Sequence, residues 1–365
     1  MSSKLVIITP EVSPGTGGVA DHTLALIRSW RSNSSLGVLT ETPSPATASL
    51  VNDAAQLAST RDAIKAQLPP EAGNVFVQYS AYGFNRFGYP RSLIAALVDW
   101  KKCPGGHLVV FFHEIWTFWP VTNKNFVIQQ FHRRALKRLL GVCDAAFTTT
   151  ASQAEHLRKL GNAVPIQILP VGSNIRRQTG VPTLRQEGLA VLFGLQANRI
   201  RALETMGESL MALTKAGKIT KIISIGQGSD PQLSDRERKL LLDLDLSAGF
   251  SQEGALSEDK VSGMLSLASF GIFGQNELSC TKSGSFMACA AHQLNVLADF
   301  AEPSKAPPVC WLVSPKEVLG GIAQDELDRR AECLRMWQEQ NSSWNVIADT
   351  LGCALGIETA HRLNP

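Results

Sequence analysis

The chain has no C-x-x-C pair; its seven cysteines (Cys103, Cys143, Cys280, Cys289, Cys310, Cys333 and Cys353) are odd in number and scattered. That spacing argues against a disulfide framework and a zinc site, and it favours a reducing, cytoplasmic setting. No apolar run approaches the length of a bilayer span. Near the start, Lys4 is followed by only four strongly apolar residues, unlike a signal peptide. Charge of one sign is also lacking: 35 Lys and Arg against 32 Asp and Glu leave +3, too little to point to nucleic acid. There is no G-x-G-x-x-G fingerprint, no P-loop lysine and no G-x-S-x-G elbow, which disfavours an NAD-dependent enzyme and a serine hydrolase. Asp243 and Asp245 form a D-x-D, but at the end of a helix-like run rather than a strand terminus, so no metal and no resident cofactor are expected. Internal repeats and low-complexity segments are absent.

What remains is the composition of a globular protein, 365 residues with 44% hydrophobic and 18% charged, long enough for two domains. Apolar, β-branched runs at 5–9, 36–40, 75–79, 107–116, 145–150 and 166–175 read as strands with helical patterns between them. One of those helices is expected to run from the loop at 41–50 to about Leu68. Six such alternations predict a doubly wound parallel sheet. Between Gly172 and Gly188 the pattern lapses into Ser, Asn, Arg, Gln, Pro and Gly. Alternation restarts at 189–194 and 219–226, with a weak element at 248–252, then 270–273, 295–298 and 309–313. The reading is therefore a first domain over 1–175, a linker over 176–188 and a second domain over 189–341. A final helix from Trp344 to Leu355, within a segment 342–365, is expected to pack back onto the first domain.

The stretch from Leu267 to Ala298 organises the functional reading. It runs strand, polar loop, small-residue helix, strand, and in an open α/β sheet ligands sit at the carboxyl ends of strands. Glu277, Lys282, Ser283, Gly284 and Ser285 fall in that crevice. A helix capped by Thr281 or Ser283 offers unpaired N–H groups and a positive dipole end, which suits a phosphate, and Lys282 adds a full charge. The plainer reading is a surface turn with an ordinary cap. Gly15, Gly17 and Gly18 make a second strand-to-helix loop, either a cradle for phosphate or sugar or simply a tight turn.

The strand at 107–116 delivers His113 and Glu114 to its carboxyl end, where an imidazole can bind a hydroxyl or move a proton. Tyr79, Tyr82 and Phe84 beside Gly83 offer a stacking wall for a sugar or aromatic core at a strand end. Arg199 and Arg201 are expected in a loop just before a helix, placed to neutralise a diphosphate. The helix from Phe131 to Leu140 carries four basic residues, either a merely solvated face or a peripheral contact with an anionic membrane.

Several pieces together resemble the GT-B-fold glycosyltransferases, and among them the retaining group called family 4. They are GTGGVADHT (15–23), QYSAYGF (78–84), FFHEIW (111–116), TTTASQAEHLRKLG (148–161), LPVGSNI (169–175), FGLQANRIRALETM (193–206), ISIGQG (223–228), QEGALSEDKVSGMLSLASFGIF (252–273), TKSGSFMACAAH (281–292) and SWNVIAD (343–349). The resemblance implies two Rossmann-like doubly wound domains facing a central cleft. The first takes a sugar, lipid-linked or small-molecule acceptor, and the second a nucleotide-diphosphate sugar. It implies metal-independent transfer with retention, a cytoplasmic protein, and no nucleic-acid partner.

By position, the resemblance has Gly17 and Gly18 face the donor phosphates and the acceptor across the cleft, with Asp21 and Tyr82 on the acceptor side. It gives His113 to the transferred sugar, Arg199 with Arg201 or Lys282 to the diphosphate, and Gly226, Gly228 and Gly254 to the base. Glu277 is given sugar hydroxyls, and Ser283, Gly284 and Ser285 the donor. The chain departs from the family pattern where a second glutamate often stands eight positions on: here it is Ser285. A degenerate relative that binds without transferring, and a nucleotide-sugar epimerase of the same fold, are the alternatives.

Overall fold

The structure is a computed structural model that describes residues 4–12, 17–30, 36–43, 51, 53–69, 73–102, 105–116, 118–123, 126–161, 163–178, 184–228 and 230–357. Gly15, most of the loop at 41–50 and part of the expected linker lie outside these residues. The chain divides into two compact units, Met1–Pro170 with Trp344–Pro365, and Val171–Ser343. The boundary falls at 170/171, a few residues before the one that composition suggested.

The first unit is a seven-stranded sheet in the order β3-β2-β1-β4-β5-β6-β7. Its strands are β1 (Leu5–Glu11), β2 (Leu36–Thr42), β3 (Asp53–Gln56), β4 (Asn74–Ser80), β5 (His107–Glu114), β6 (Ala145–Thr148) and β7 (Ile166–Ile168), and every pairing is parallel. The helices are α1 (Gly18–Ser29), α2 (Arg61–Gln67), α3 (Ala81–Phe84), α4 (Arg91–Trp100), α5 (Phe126–Leu140) and α6 (Ala151–Arg158). The apolar runs are continuous because both faces of the sheet are covered. Alternate residues take opposite faces: Val6, Ile8, Val110 and Phe112 pack with α2, α4 and α5, while Leu5, Ile7, Val109 and Phe111 pack with α1.

β3 was not foreseen. Its sequence, DAAQ, lies inside the segment read as helix, and the helix is confined to α2. An edge strand paired only with β2 needs no alternating apolar pattern, so helix-forming residues can occupy it.

The second unit has a five-stranded sheet in the order β10-β9-β8-β11-β12. These are β8 (Gln186–Phe193), β9 (Lys221–Ile225), β10 (Phe250–Gly254), β11 (Ala268–Ile272) and β12 (Asn295–Leu297), again all parallel. Its helices are α7 (Gln196–Lys215), α8 (Pro231–Leu242), α9 (Glu258–Leu267), α10 (Gly284–Ala291), α11 (Pro315–Leu319) and α12 (Gln324–Ser342). The expected strand at 309–313 is instead a 3-10 turn over Val309–Trp311, with Val313 making a single bridge to Leu297. Pro307 and Pro308 just before it carry no N–H for a sheet ladder, and the chain turns there.

The last helix, α13 (Trp344–Leu355), belongs to the first unit. Ile347, Ala348, Leu351 and Leu355 join the core formed by α1 and the inner residues of β1, β4 and β5. The Trp30 indole donates to the Ala348 carbonyl (3.3 Å). No helix among the described residues is long and apolar enough to cross a membrane.

Candidate active site

Each sheet reverses its winding once, between β1 and β4 in the first unit and between β8 and β11 in the second. A crevice opens at the carboxyl ends of the strands at such a point, because the flanking helices depart to opposite faces. The expected site residues cluster at these two places.

In the second unit a pocket at the β8/β11 crossover is lined by Phe193, Asn198, Phe273, Gly274, Gln275 and Ser285, among others. Ser283 caps α10, its hydroxyl accepting from the Phe286 N–H (3.2 Å), so of the two expected caps it is Ser283 and not Thr281. The Ser283 and Ser285 hydroxyls lie 3.0 Å apart, and a Cβ on Gly194 would stand 3.2 Å from the Ser285 hydroxyl. Lys282 is exposed one residue before the cap, at the end of the 3-10 turn Glu277–Lys282. Gly284 sits against Asn174. The helix N-terminus and the serine pair thus share one corner of the crevice, and Lys282 directly precedes it in sequence.

Bare backbone forms the neighbouring edge. Gly194, Gly226 and Gly254 follow β8, β9 and end β10, with φ of +143°, +142° and +64°. The Gly194 N–H donates to the Ile225 carbonyl (3.1 Å) and the Gly226 N–H to the Gly254 carbonyl (2.8 Å). At Gly226 a Cβ would collide with the Gly194 carbonyl and the Arg199 guanidinium, so only glycine fits. Gly226→Ala is expected to cost about 1–3 kcal/mol, read as a lowered midpoint in thermal denaturation. Gly228 is set back from this edge, packed near the Ser234 hydroxyl and the Gln196 amide, which bond each other (2.8 Å).

Three assignments change. Arg199 and Arg201 are not in a loop: α7 begins at Gln196, and both lie in its first turns. Arg199 is 4% exposed, with Nε and Nη2 donating to the two Glu237 oxygens (2.9 and 3.0 Å) and Nη1 to the Gly194 carbonyl (2.6 Å). It holds the crevice floor and does not offer its guanidinium to a diphosphate. Arg201 is exposed on α7. Glu277 accepts at Oε2 from the Ser304 N–H (3.1 Å), so at least one of its oxygens anchors a neighbouring loop.

The β1/β4 crossover of the first unit is acidic. Gly17 caps α1 in extended conformation, and the Glu11 carboxylate fills the space a Cβ there would need. Burial, then the nearby Asp21, raises the Glu11 pKa. Glu114 at the end of β5 accepts from the Ser80 hydroxyl (3.2 Å). At Gly17 the Glu11 carboxylate already occupies the positive end of the α1 dipole, whereas Gly18 stands open.

Behind this rim runs a buried polar chain that the sequence reading missed. Gln78 Oε1 accepts from His113 Nε2 (2.6 Å), and Gln78 Nε2 meets His22 Nδ1 (2.9 Å). Burial holds the His22 pKa down at about 3, against the opposing Gln78 contact. The signal was a lone glutamine inside the apolar run VFVQY. Of the aromatic wall, Tyr79 and Phe84 are core, and Tyr82 is exposed with its ring 6.0 Å from that of His132.

No protein-family model matches the chain, and no curated protein sequence does. Solved structures do match. A glycosyltransferase from Rickettsia africae aligns at TM-score 0.66 and 12% identity, covering 97% of this chain and 98% of its own. The N-terminal domain of trehalose-6-phosphate phosphatase from Candida albicans aligns at 0.66 and 10%, covering 98% and 97%. HepE from Anabaena, solved with UDP and glucose, aligns at 0.61 and 11%, covering 97% and 99%. At such identities the likeness is one of fold, and the fold is the GT-B architecture.

Proposed function

We propose that the chain is a metal-independent, retaining glycosyltransferase of hexosyltransferase type that takes a nucleotide-diphosphate sugar as donor. The observation that carries this reading is the Ser283-capped start of α10, whose Ser285 lines the β8/β11 pocket, with Lys282 preceding the cap in sequence. A departing diphosphate gains negative charge in the transition state, and a helix N-terminus with an adjacent ammonium stabilises that charge. The glycine edge at Gly194, Gly226 and Gly254 leaves backbone accessible to a flat base or a ribose. No carboxylate lines the pocket, which fits a reaction in which a leaving-phosphate oxygen takes the acceptor proton on the same face of the sugar. The acidic rim of Glu11, Asp21 and Glu114 suits an acceptor that presents hydroxyls. His113, its ring fixed by Gln78, is the imidazole proposed to meet a sugar hydroxyl.

Two measurements test this. A thermal-shift screen against UDP-, GDP-, ADP- and TDP-sugars is expected to pick out one donor by a raised midpoint; silence across the panel sinks the proposal. With that donor, Lys282→Ala is expected to weaken binding and turnover about tenfold or more, the usual worth of a charge-assisted contact. Unchanged calorimetric affinity and kinetics in Lys282→Ala would remove the diphosphate corner from α10.

A further inference from the structure

Three buried polar side chains in the first unit form a row whose proton positions are coupled. They are His22 on α1, Gln78 on β4 and His113 on β5, none more than 6% exposed. Gln78 Oε1 lies 2.6 Å from His113 Nε2, and Gln78 Nε2 lies 2.9 Å from His22 Nδ1. A carboxamide has one accepting end and one donating end, and a neutral imidazole has one bare nitrogen and one N–H. Two arrangements therefore keep both bonds. In the first, His113 Nε2–H donates to the Gln78 oxygen, and the Gln78 N–H donates to a bare His22 Nδ1. Both rings then carry their proton on Nε2. Turning the amide over moves both protons to Nδ1.

The surroundings of His22 choose between the two. Burial keeps this ring neutral, so only one of its nitrogens bears hydrogen. Its Nε2 is buried and finds no hydrogen-bond partner among the described residues. Around the ring stand Phe111, His113 and Trp344, at centroid distances of 4.7, 4.9 and 5.1 Å, the last two edge to face. Aromatic faces carry negative charge, which attracts an N–H and repels a lone pair. The first arrangement sets an N–H among these rings, and the second would set a lone pair there. His113 also has support away from the row: its carbonyl accepts from Gln153 Nε2 (3.2 Å), and its ring packs 4.6 Å from that of Phe111.

We propose that Gln78 and His22 are positioning residues that fix the His113 tautomer, with the proton on Nε2 and the lone pair on Nδ1. His22 orients the amide, and the amide sets the proton. Where His113 meets a sugar hydroxyl, as in the function proposed above, the ring accepts a hydrogen bond from that hydroxyl at Nδ1 and does not donate to its oxygen. A sugar with fluorine at that carbon, able to accept but not to donate, is then held no better than the deoxy sugar. This specificity rests on the transferase reading; the tautomer does not.

The test is long-range proton–nitrogen correlation spectroscopy of the nitrogen-labelled full chain, above the pH range in which imidazoles titrate. It separates a protonated ring nitrogen from a bare one and needs no donor. His22 and His113 are both expected to show a protonated Nε2 and a bare Nδ1. A proton on Nδ1 in either ring overturns the proposal. Gln78→Met, which keeps the volume, should let the Nδ1–H form of His113 appear. If that variant unfolds, His22→Phe, which removes the acceptor orienting the amide, is read in its place. An unchanged His113 tautomer in the folded variant also overturns the proposal. With the donor from the thermal-shift screen, a cycle with His113→Ala assigns one sugar hydroxyl to the ring. The deoxy and deoxyfluoro analogues at that position should lose affinity equally, by about fivefold. A fluoro analogue that binds like the parent sugar removes the accepting role.

Discussion

Glu237→Ala is expected to destabilise the protein by about 3–5 kcal/mol, the largest effect of any single substitution considered. Its carboxylate is fully buried and receives Arg199 through two hydrogen bonds and the Ser224 hydroxyl through a third. Removing it strands a guanidinium that is 4% exposed and leaves it the Gly194 carbonyl. A buried cation without its counter-ion is costly, whereas replacing both charges by apolar groups is often close to neutral. The double variant Arg199→Leu with Glu237→Leu should therefore recover much of the loss, a coupling read from chemical denaturation of the two singles and the pair. A Glu237→Ala protein that melts with the wild type would show Arg199 free to bind phosphate after all.

Acid should unfold the first unit before pH 3, and His22 is the main reason. Its pKa is about 3 in the fold against an ordinary 6.5, because burial beside Phe111, His113 and Trp344 penalises the cation. The unfolded chain takes up the proton as pH falls below 6.5 and the fold does not until about 3, so the stability lost accumulates across that window. The loss is on the order of 4–5 kcal/mol at its upper bound. His292, held at about 4 by burial, acts in the same direction in the second unit. A proton on His22 Nδ1 also obliges the Gln78 amide to present its oxygen there, and His113 Nε2 must then cease to donate to it. His22→Phe is expected to flatten the dependence of the melting midpoint between pH 6.5 and 4 if it packs without strain. His22→Gln supplies the check where it does not, and an unaltered slope in both would remove His22 from the account.

Much of the fold was legible because parallel strands covered on both faces read as unbroken apolar runs, as at 5–9 and 107–116. What was not legible has a common cause. β3 has the residues of a helix and is a strand only because β2 lies beside it. The start of α7 has no capping side chain, Leu195 standing at that place, so the helix appeared to begin too late. Arg199 finds its counter-ion on α8, 38 positions away, a pairing without a local signature. The α10 corner was readable because cap, lysine and serines are neighbours in sequence. The His22–Gln78–His113 chain was not, because three elements contribute one residue each.

The return of α13 has a consequence for biosynthesis. The second unit is one uninterrupted stretch, Val171–Ser343, whereas the first is completed only by Trp344 onward. On the ribosome the domain begun first must wait, its groove over α1 and β5 open, until Ile347, Leu351 and Leu355 have been made. Arrested nascent chains ending near Ser343 should then resist protease over the later-made domain and be cut within the earlier one.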